Sequence, residues 1–325
     1  MLIKVFRSDF SFQILIIALL AVLLWLNGFL HPIPMPSSDA IMPFYDLIKN
    51  VLGNISWLIT SIGLILVLAE AVLLNLILTN HDMAPRNSAL PAILYLMLMS
   101  WSPSVLTLHP ALFVNAFLII FLYYFLKVHE QKDAFKEVFS ATLTLSLATF
   151  FDLPIFILFL LVWIGFMVYR TFTWREWVIS VIGFFVPLLF AAVYYFLIGN
   201  LSTVIAEYVK FFRYVPHFNY HFNWITAAYF SAFILLSSWS ILNIINVLKE
   251  KIITIRKKFT IMIWFFIIAI PIILFSGNDF EYQSTILAIP AATIMAFYFS
   301  MVKKLRFLEI LFACMALALI LLRIR

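Results

Sequence analysis

Cysteine is nearly absent from this chain, and Cys314 is the single one among 325 residues. One cysteine excludes an intrachain disulfide, a thiolate metal site and an iron–sulfur cluster held by one chain. The sequence also has no Walker motif, no dinucleotide-binding fingerprint and no GxSxG. ATP hydrolysis and nicotinamide chemistry are therefore not expected.

Charge and glycine are scarce as well. Charged residues make up 11% of the chain, whereas soluble domains contain about 25%. Glycine occurs 7 times, although broken transporter helices and close helix pairs commonly use this residue. The first shortage excludes a water-soluble fold, and the second disfavours a channel or an alternating-access transporter.

Apolar residues account for 65% of the chain, and the mean hydropathy is +1.10. Continuous apolar runs near twenty residues indicate membrane-spanning helices and exclude the ten-residue alternation of a transmembrane barrel. We predict an all-α polytopic protein with about 11 transmembrane helices and no soluble domain, so that residues 1–325 form a single integral membrane domain. The predicted spans are 10–30, 55–78, 90–106, 111–128, 138–151, 153–169, 178–198, 224–247, 259–275, 285–301 and 308–322.

The basic residues predict the orientation. Most of the 21 lysines and arginines fall in alternate loops, which the positive-inside rule assigns to the cytoplasm. This pattern predicts a multi-pass protein of the bacterial inner (cytoplasmic) membrane with a cytoplasmic N-terminus. The net charge of +6 is thus a signal of topology, and we expect membrane lipids as partners and no nucleic acid.

The first outer loop, residues 31–52, carries two acids, Asp39 and Asp46, and four prolines. Its second half, from residue 41, predicts a short amphipathic helix on the membrane surface. A carboxylate there can act as a general base toward a hydroxyl acceptor. The plainer alternative is that outer loops are polar because they contact water.

Two further outer residues lie in very tight turns at helix ends, His109 before Pro110 and Asp152 before Leu153. Each is expected to point into the cavity that the helical hairpins enclose, although Asp152 can equally be a helix N-cap. In the loop 199–222, Lys210 and Arg213 are candidate phosphate contacts.

The same loop contains two histidines four residues apart, His217 and His221. This spacing is known from zinc sites on helices. The neighbouring Pro216 indicates a loop, however, and no HExxH glutamate accompanies the pair. We therefore list both histidines as binding candidates and predict no metal.

Glu70 is the one acid deep inside a predicted span. An intramembrane carboxyl is costly, so it usually faces the protein interior and has a function. As a functional residue, Glu70 is expected to be a proton site or to form a polar clamp with Asn75. The structural alternative is a protonated Glu70 that is hydrogen-bonded to a neighbouring helix.

These features resemble the GT-C class of polyprenyl-phosphate-dependent glycosyltransferases. The resemblance covers residues 10–198, and it comprises the acids after the first helix, the hairpins with Asp or His at their outer ends, and the paired helices of LMLMSWSPSVLTLHPALFVNAFLIIFLYYFL. It implies a GT-C-like part at 1–198, followed by C-terminal helices at 199–325. It also implies Asp39 or Asp46 as the first catalytic acid, Asp152 as the second, and a polyprenyl-phosphate lipid as the bound group. The large outer soluble domain of that class is missing.

The chain also resembles a polytopic inner-membrane family of Bacteroidota of unknown function, which shares a WREW-type segment between hairpins. Two functions follow as expectations. The first is a GT-C-like protein that handles a polyprenyl-phosphate-linked sugar at the outer leaflet. The alternative is a non-catalytic membrane subunit of an inner-membrane complex for secretion, motility or envelope biogenesis. A proton-coupled carrier that uses Glu70 is a third possibility.

Overall fold

The computed structural model describes residues 10–36, 42–53, 55–85, 88–131, 133–170, 173–213, 224–275, 280–301 and 319. Within these ranges the protein is all-α and contains no strand. The helices are α1 Phe10–Leu30, α2 Pro43–Leu52, α3 Ser56–Asn80, α4 Leu90–Met99, α5 Pro110–Lys127, α6 Phe135–Ala148, α7 Phe159–Tyr169, α8 Trp174–Leu197, α9 Leu201–Arg213, α10 Trp224–Leu248, α11 Ile253–Phe275, α12 Phe280–Gln283 and α13 Ala288–Met301. Short 3₁₀ turns occupy Pro103–Val105, Val128–Glu130, Leu153–Leu158 and Ser284–Leu287.

Six helical segments of the described chain are long and apolar enough to cross a membrane, fewer than the expected number of about 11. They are Ser56–Asn80, Pro110–Glu130, Trp174–Leu197, Thr226–Leu248, Ile253–Leu274 and Phe280–Met301. Leu15–Leu30, Leu90–Met99 and Leu153–Tyr169 are shorter apolar helices, and the predicted span 308–322 lies almost wholly outside the described residues. The chain is thus an integral membrane protein with six full-length candidate spans.

Helix α4 shows why hydropathy overestimates a span. The apolar run predicts a helix over 90–106, but the helix ends at Met99 after 10 residues, which is about 15 Å. Pro103 follows, and the residue before a proline is driven to extended backbone. Ser102 accordingly adopts φ −121° and ψ 150°. A helix of this length does not cross a hydrocarbon core of about 30 Å.

Two other predicted segments belong to longer helices. The WREW segment lies between the predicted spans 153–169 and 178–198, yet α8 begins at Trp174, so the segment forms the first turn of that helix. The basic stretch before residue 259 was expected to be a loop, but α11 begins at Ile253 and takes Lys258 into the protein, where it is 3% exposed.

Close helix packing occurs at two glycines. Helix α6 lies between α5 and α8, and Gly183 of α8 faces it so closely that an added Cβ would lie 2.3 Å from the Thr142 hydroxyl. At Gly165 of α7, an added Cβ would lie 2.2 Å from Cζ of the buried Phe125. The C-terminal helices enter the same core, because α13 packs against α4 and α11 packs against α7.

The contacts sort the connections into two ends. We call the first end the one formed by residues 31–36, 42–53, 100–109, 149–153 and 280–287, which are joined by Thr107 donating to the Ile33 carbonyl and Gln283 donating to Asp152. The second end is formed by residues 81–85, 127–131, 133–135, 169–170 and 249–258, where His81, Glu130 and Lys258 meet.

Candidate functional site

The site at the first end begins with two residues held by neighbouring prolines. His109 and Asp152 occupy the N-cap positions of α5 and of the turn Leu153–Leu158, both with extended backbone (φ −118° and −157°). Pro110 and Pro154 follow at the first or second helical position, where a fixed φ and a missing N–H favour a helix start. Both predicted site residues are buried, at 0% and 2% exposure.

Asp152 is held from a distant part of the chain. Gln283 Nε2 donates to Asp152 Oδ2 at 2.8 Å, and Asp152 makes no side-chain hydrogen bond that caps its own turn. The N-cap alternative therefore does not account for this carboxylate. Because a buried acid must be hydrogen-bonded to be tolerated, the amide of Gln283 fixes its orientation.

His109 stacks on Tyr282, the residue before Gln283, with ring centroids 5.0 Å apart. Neither of its ring nitrogens has a hydrogen-bond partner among the described residues. Burial lowers the pKa of His109 to about 3, so the imidazole is neutral near pH 7. A neutral imidazole offers one donor and one acceptor.

Further polar side chains surround this pair. Asn115 Nδ2 lies 3.3 Å from the Thr285 carbonyl and 3.4 Å from its hydroxyl. Ser102 Oγ donates to Glu281 Oε2 at 2.9 Å. We call this set the first-end pocket. It consists of Trp101, Ser102, His109, Asn115, Asp152, Glu281, Tyr282, Gln283 and Thr285.

Several buried polar atoms of the first-end pocket have no hydrogen-bond partner within the described chain. They are His109 Nδ1 and Nε2, Asn115 Oδ1, Gln283 Oε1 and Trp101 Nε1. An unmatched buried polar atom costs roughly 1–3 kcal/mol, and such atoms are uncommon in native proteins. His109 and Asn115 contact the segment 280–287, to which Gln283 belongs, and Trp101 packs on Phe230, which also packs on Phe280. These atoms are therefore the groups of this region that are available to bind a polar ligand.

Helix α2 covers the first end. The Tyr45 hydroxyl donates to the carbonyls of Leu108 and Pro36 at 3.2 and 3.1 Å, while Phe44 packs on Phe150 and Phe151 with centroids 5.0 and 5.6 Å apart. The amphipathic helix expected in the first loop thus lies across the turns that carry His109 and Asp152.

Of the remaining predicted site residues on this side, the structure describes only the side chain of Asp46, and it does not join the pocket. Asp46 is exposed on α2 and accepts a 3.4 Å hydrogen bond from the backbone N–H of Met42, so it supports the start of that helix. Asp39, His217 and His221 lie outside the described residues, and α9 includes Lys210 and Arg213, whose side chains the structure does not describe.

Glu70 in α3 accepts a 2.8 Å hydrogen bond from the Tyr95 hydroxyl of α4, and it is 1% exposed. The clamp with Asn75 does not form, because both side-chain amide atoms of Asn75 are buried without a partner in the described chain. The geometry agrees with the alternative in which Glu70 is hydrogen-bonded to a neighbouring helix.

The second end contains a charged cluster that the sequence analysis missed. Lys258 Nζ and His81 Nδ1 lie 2.8 and 2.9 Å from the same oxygen of Glu130, and Lys258 Nζ also lies 3.4 Å from the His81 carbonyl. Burial lowers the pKa of His81, and the hydrogen bond with Glu130 opposes that effect. We call these three residues the second-end triad; they join the ends of α3, α5 and α11.

No group of three or more His, Cys, Asp or Glu side chains in the described ranges is placed to hold a metal ion. The chemistry that the first-end pocket itself offers is proton transfer by Asp152 and hydrogen bonding by neutral groups.

Comparison with known proteins gives a family and no function. No curated protein and no solved structure matches the chain. The model of a family described as a family of unknown function (DUF6427) matches residues 40–325. The chain therefore belongs to this family, DUF6427.

Proposed function

We propose that this protein is a GT-C-like membrane protein that handles a polyprenyl-phosphate-linked sugar at the first end, which we assign to the outer leaflet of the bacterial inner membrane. In this proposal Asp152 is the acid that accepts a proton from, or orients, the hydroxyl of the acceptor. Asp39, in the first outer loop, supplies a second acid. The observation that carries the proposal is the buried Asp152–Gln283 pair beside the neutral His109, beneath the amphipathic α2.

The assignment of the first end to the outer leaflet rests on charge. The described residues of the second end include Lys127, Arg170 and five lysines and arginines within 249–258, whereas those of the first end include Lys49 alone. This asymmetry is what the positive-inside rule requires if the second end is cytoplasmic. We further propose that the shorter helices complete a topology of about 11 membrane segments, with α4, α6 and α7 entering the bilayer as parts of hairpins. Their burial against α5, α11 and α13 removes the need for each to span the hydrocarbon core alone.

The chemistry of Asp152 supports an acceptor-activating role. A carboxylate can remove the proton from an attacking hydroxyl, and general-base help of this kind contributes typically 10²–10⁴-fold to a rate. Gln283 leaves Asp152 Oδ2 oriented toward the segment 280–287. Because His109 is neutral, it adds no positive charge that would compete with the acceptor hydroxyl for the Asp152 carboxylate.

Transfer of a radiolabelled hexose from a polyprenyl-phosphate carrier, in membranes that contain the protein, tests this proposal. Asp152→Asn keeps the side-chain shape and removes the base, so we expect transfer to fall at least about 100-fold. Asp133→Asn is the matched control, because Asp133 is an exposed acid at the opposite end. Equal transfer by the parent, Asp152→Asn and Asp39→Asn proteins would exclude the proposal.

A second candidate, a non-catalytic subunit of an inner-membrane complex, is favoured by one observation on α8. In an apolar 18-residue stretch of Trp174–Leu197, 17% of the residues are buried in the protein, whereas 83% are buried in the corresponding stretch of Phe280–Met301. The buried side chains of α8, such as Ser180 and Phe184, lie in its first half, and Leu189 and Phe190 beyond them are 61% and 70% exposed. This face contacts either lipid or another membrane protein.

Substitution on that face separates the two occupants. Leu189→Trp enlarges a side chain that lipid tolerates and a packed protein interface does not. If the subunit proposal is right, partners that co-purify with the parent chain in mild detergent are lost from Leu189→Trp. A parent chain that purifies alone and monodisperse would exclude it.

A further inference from the structure

We infer that the first-end pocket binds the hydroxyl groups of a saccharide through its unpartnered polar atoms, and that the phosphate of the carrier is held elsewhere. This inference rests on the proposed function, because it states which part of the lipid-linked sugar this pocket receives. The groups that carry it lie in or beside the segment 280–287: two acids, two side-chain amides, two aromatic residues and the imidazole of His109.

The charge of the pocket opposes a phosphate. Asp152 and Glu281 are both carboxylates of this site, bonded to Gln283 and Ser102 respectively. Among the described lysine and arginine side chains, only Lys49 lies at the first end. Its ammonium donates to the Pro36 carbonyl at 3.4 Å and contacts neither carboxylate of the pocket. A phosphate placed between two carboxylates without a cation would be strongly destabilised by like-charge repulsion in a buried site.

The unpartnered atoms have the mixture of donors and acceptors that hydroxyls require. Asn115 Oδ1 and Gln283 Oε1 accept, Trp101 Nε1 donates, and the imidazole of His109 can do one of each. A sugar hydroxyl is itself a donor and an acceptor, so neighbouring hydroxyls can satisfy such a set. A phosphate accepts hydrogen bonds and would leave the two amide oxygens unmatched.

The aromatic residues add a suitable surface. Tyr282 stacks on His109, and Trp101, which is 3% exposed, packs on Phe230 with ring centroids 5.0 Å apart. Large rings provide apolar area beside the polar atoms, and this matches the alternating apolar and hydroxyl-bearing faces of a pyranose.

Two variants remove unpartnered atoms while keeping the protein's own hydrogen bonds. Trp101→Phe deletes Nε1, and His109→Phe deletes both ring nitrogens but keeps a ring to stack on Tyr282. Because these atoms have no partner in the described protein, removing them breaks no hydrogen bond, and His109→Phe should leave thermal stability unchanged or higher. Trp101→Phe should lose only the stability that comes from its larger ring, which packs on Phe230. A ligand-binding role predicts weaker binding in proteins that still fold.

Native mass spectrometry of the full-length protein in mild detergent measures the binding of three probes. They are a polyprenyl phosphate bearing a hexose, the same polyprenyl phosphate without sugar, and free methyl hexosides. Trp101→Phe and His109→Phe should each weaken the sugar-bearing lipid roughly fivefold or more, which is the effect of one lost hydrogen bond. The sugar-free lipid should be unaffected. Asn246→Leu, at an exposed amide near the opposite end, is a control that should change neither.

The outcomes separate this inference from the proposed function. If both variants weaken the two lipids equally, or weaken neither, the saccharide assignment is overturned while lipid binding still supports the proposed function. If no lipid binds but a methyl hexoside does, and the variants weaken it, the saccharide assignment holds and the proposed carrier is wrong. If neither the sugar-bearing lipid nor any hexoside binds, both are overturned.

Discussion

Replacing Glu130 by leucine should destabilise the protein far more than replacing its partner Lys258 by methionine. Lys258 is buried, with 4% of its side chain exposed, whereas 43% of the Glu130 side chain is exposed. Glu130→Leu therefore leaves a desolvated ammonium without its counter-charge. Lys258→Met leaves a carboxylate that water reaches and that His81 still contacts at 2.9 Å.

The structure sets the size of each effect. Breaking a buried ion pair from one side costs about 3–5 kcal/mol, and the exposure of Glu130 places this case at the lower limit, about 3 kcal/mol. For Lys258→Met we expect a loss below about 1 kcal/mol, because apolar residues often replace buried charges without penalty. In the double variant the unpaired ammonium is gone, so most of the loss at Glu130 should be recovered.

Titration with SDS from mild detergent, followed by tryptophan fluorescence, gives the free energy of unfolding of the four proteins in this cycle. The expected coupling is about 3 kcal/mol. Additive losses in the double variant, or equal losses in the two single variants, would refute the argument that burial of Lys258 determines the energetics of the second-end triad.

Three further predictions use the same titration. The pKa of His109 in the folded protein, about 3, lies below its ordinary value of 6.5, so the unfolded chain binds more protons between these values and stability falls as pH is lowered through 6.5. The free energy of unfolding should drop by about 2 kcal/mol from pH 7 to pH 5 through this residue, and His109→Phe should remove that part; an unchanged pH profile would contradict the burial. Gly165→Ala should cost about 2 kcal/mol, because its Cβ would lie 2.2 Å from Phe125, and adding Phe125→Leu should restore most of the loss; no rescue would contradict this packing. Glu70→Gln should cost less than about 1 kcal/mol because Tyr95 still finds an acceptor, whereas Glu70→Leu should cost about 1–3 kcal/mol by leaving that hydroxyl unmatched; equal losses would contradict the hydrogen bond.

Local patterns predicted the helices well where length and hydropathy suffice. The bounds of α1 match the predicted segment 10–30. Helices α3, α5 and α10 each begin and end within two residues of their own predicted bounds. The prediction was wrong for α4, because an apolar run hides the effect of Pro103 on Ser102. It was also wrong for the start of α11, because a basic stretch was assumed to be a loop although Lys258 is buried and paired with Glu130.

The candidate site was partly accessible to sequence reasoning. His109 and Asp152 were selected because tight turns place them at helix ends, and both lie in the first-end pocket. Their neighbours Tyr282 and Gln283 come from more than 130 positions away in the chain, so no local pattern joins them.

Other residues were missed for related reasons. Asn115 was missed although its position inside the apolar span 111–128 is a usable signal, because an amide there needs a polar partner. Tyr95 was missed because an aromatic residue in an apolar helix is ordinarily core. The second-end triad was missed because Glu130 and Lys258 were each assigned to loops, where charge needs no partner.

The most direct test of the central claim is native mass spectrometry of the tagged full-length chain released in mild detergent, with identification of every bound lipid and protein. We predict one polyprenyl-phosphate-linked sugar per chain in the parent protein and in Asp133→Asn, and binding weakened roughly fivefold or more in His109→Phe. A chain that carries ordinary phospholipids alone and co-purifies with stoichiometric membrane-protein partners would contradict the claim, and would favour the subunit function instead.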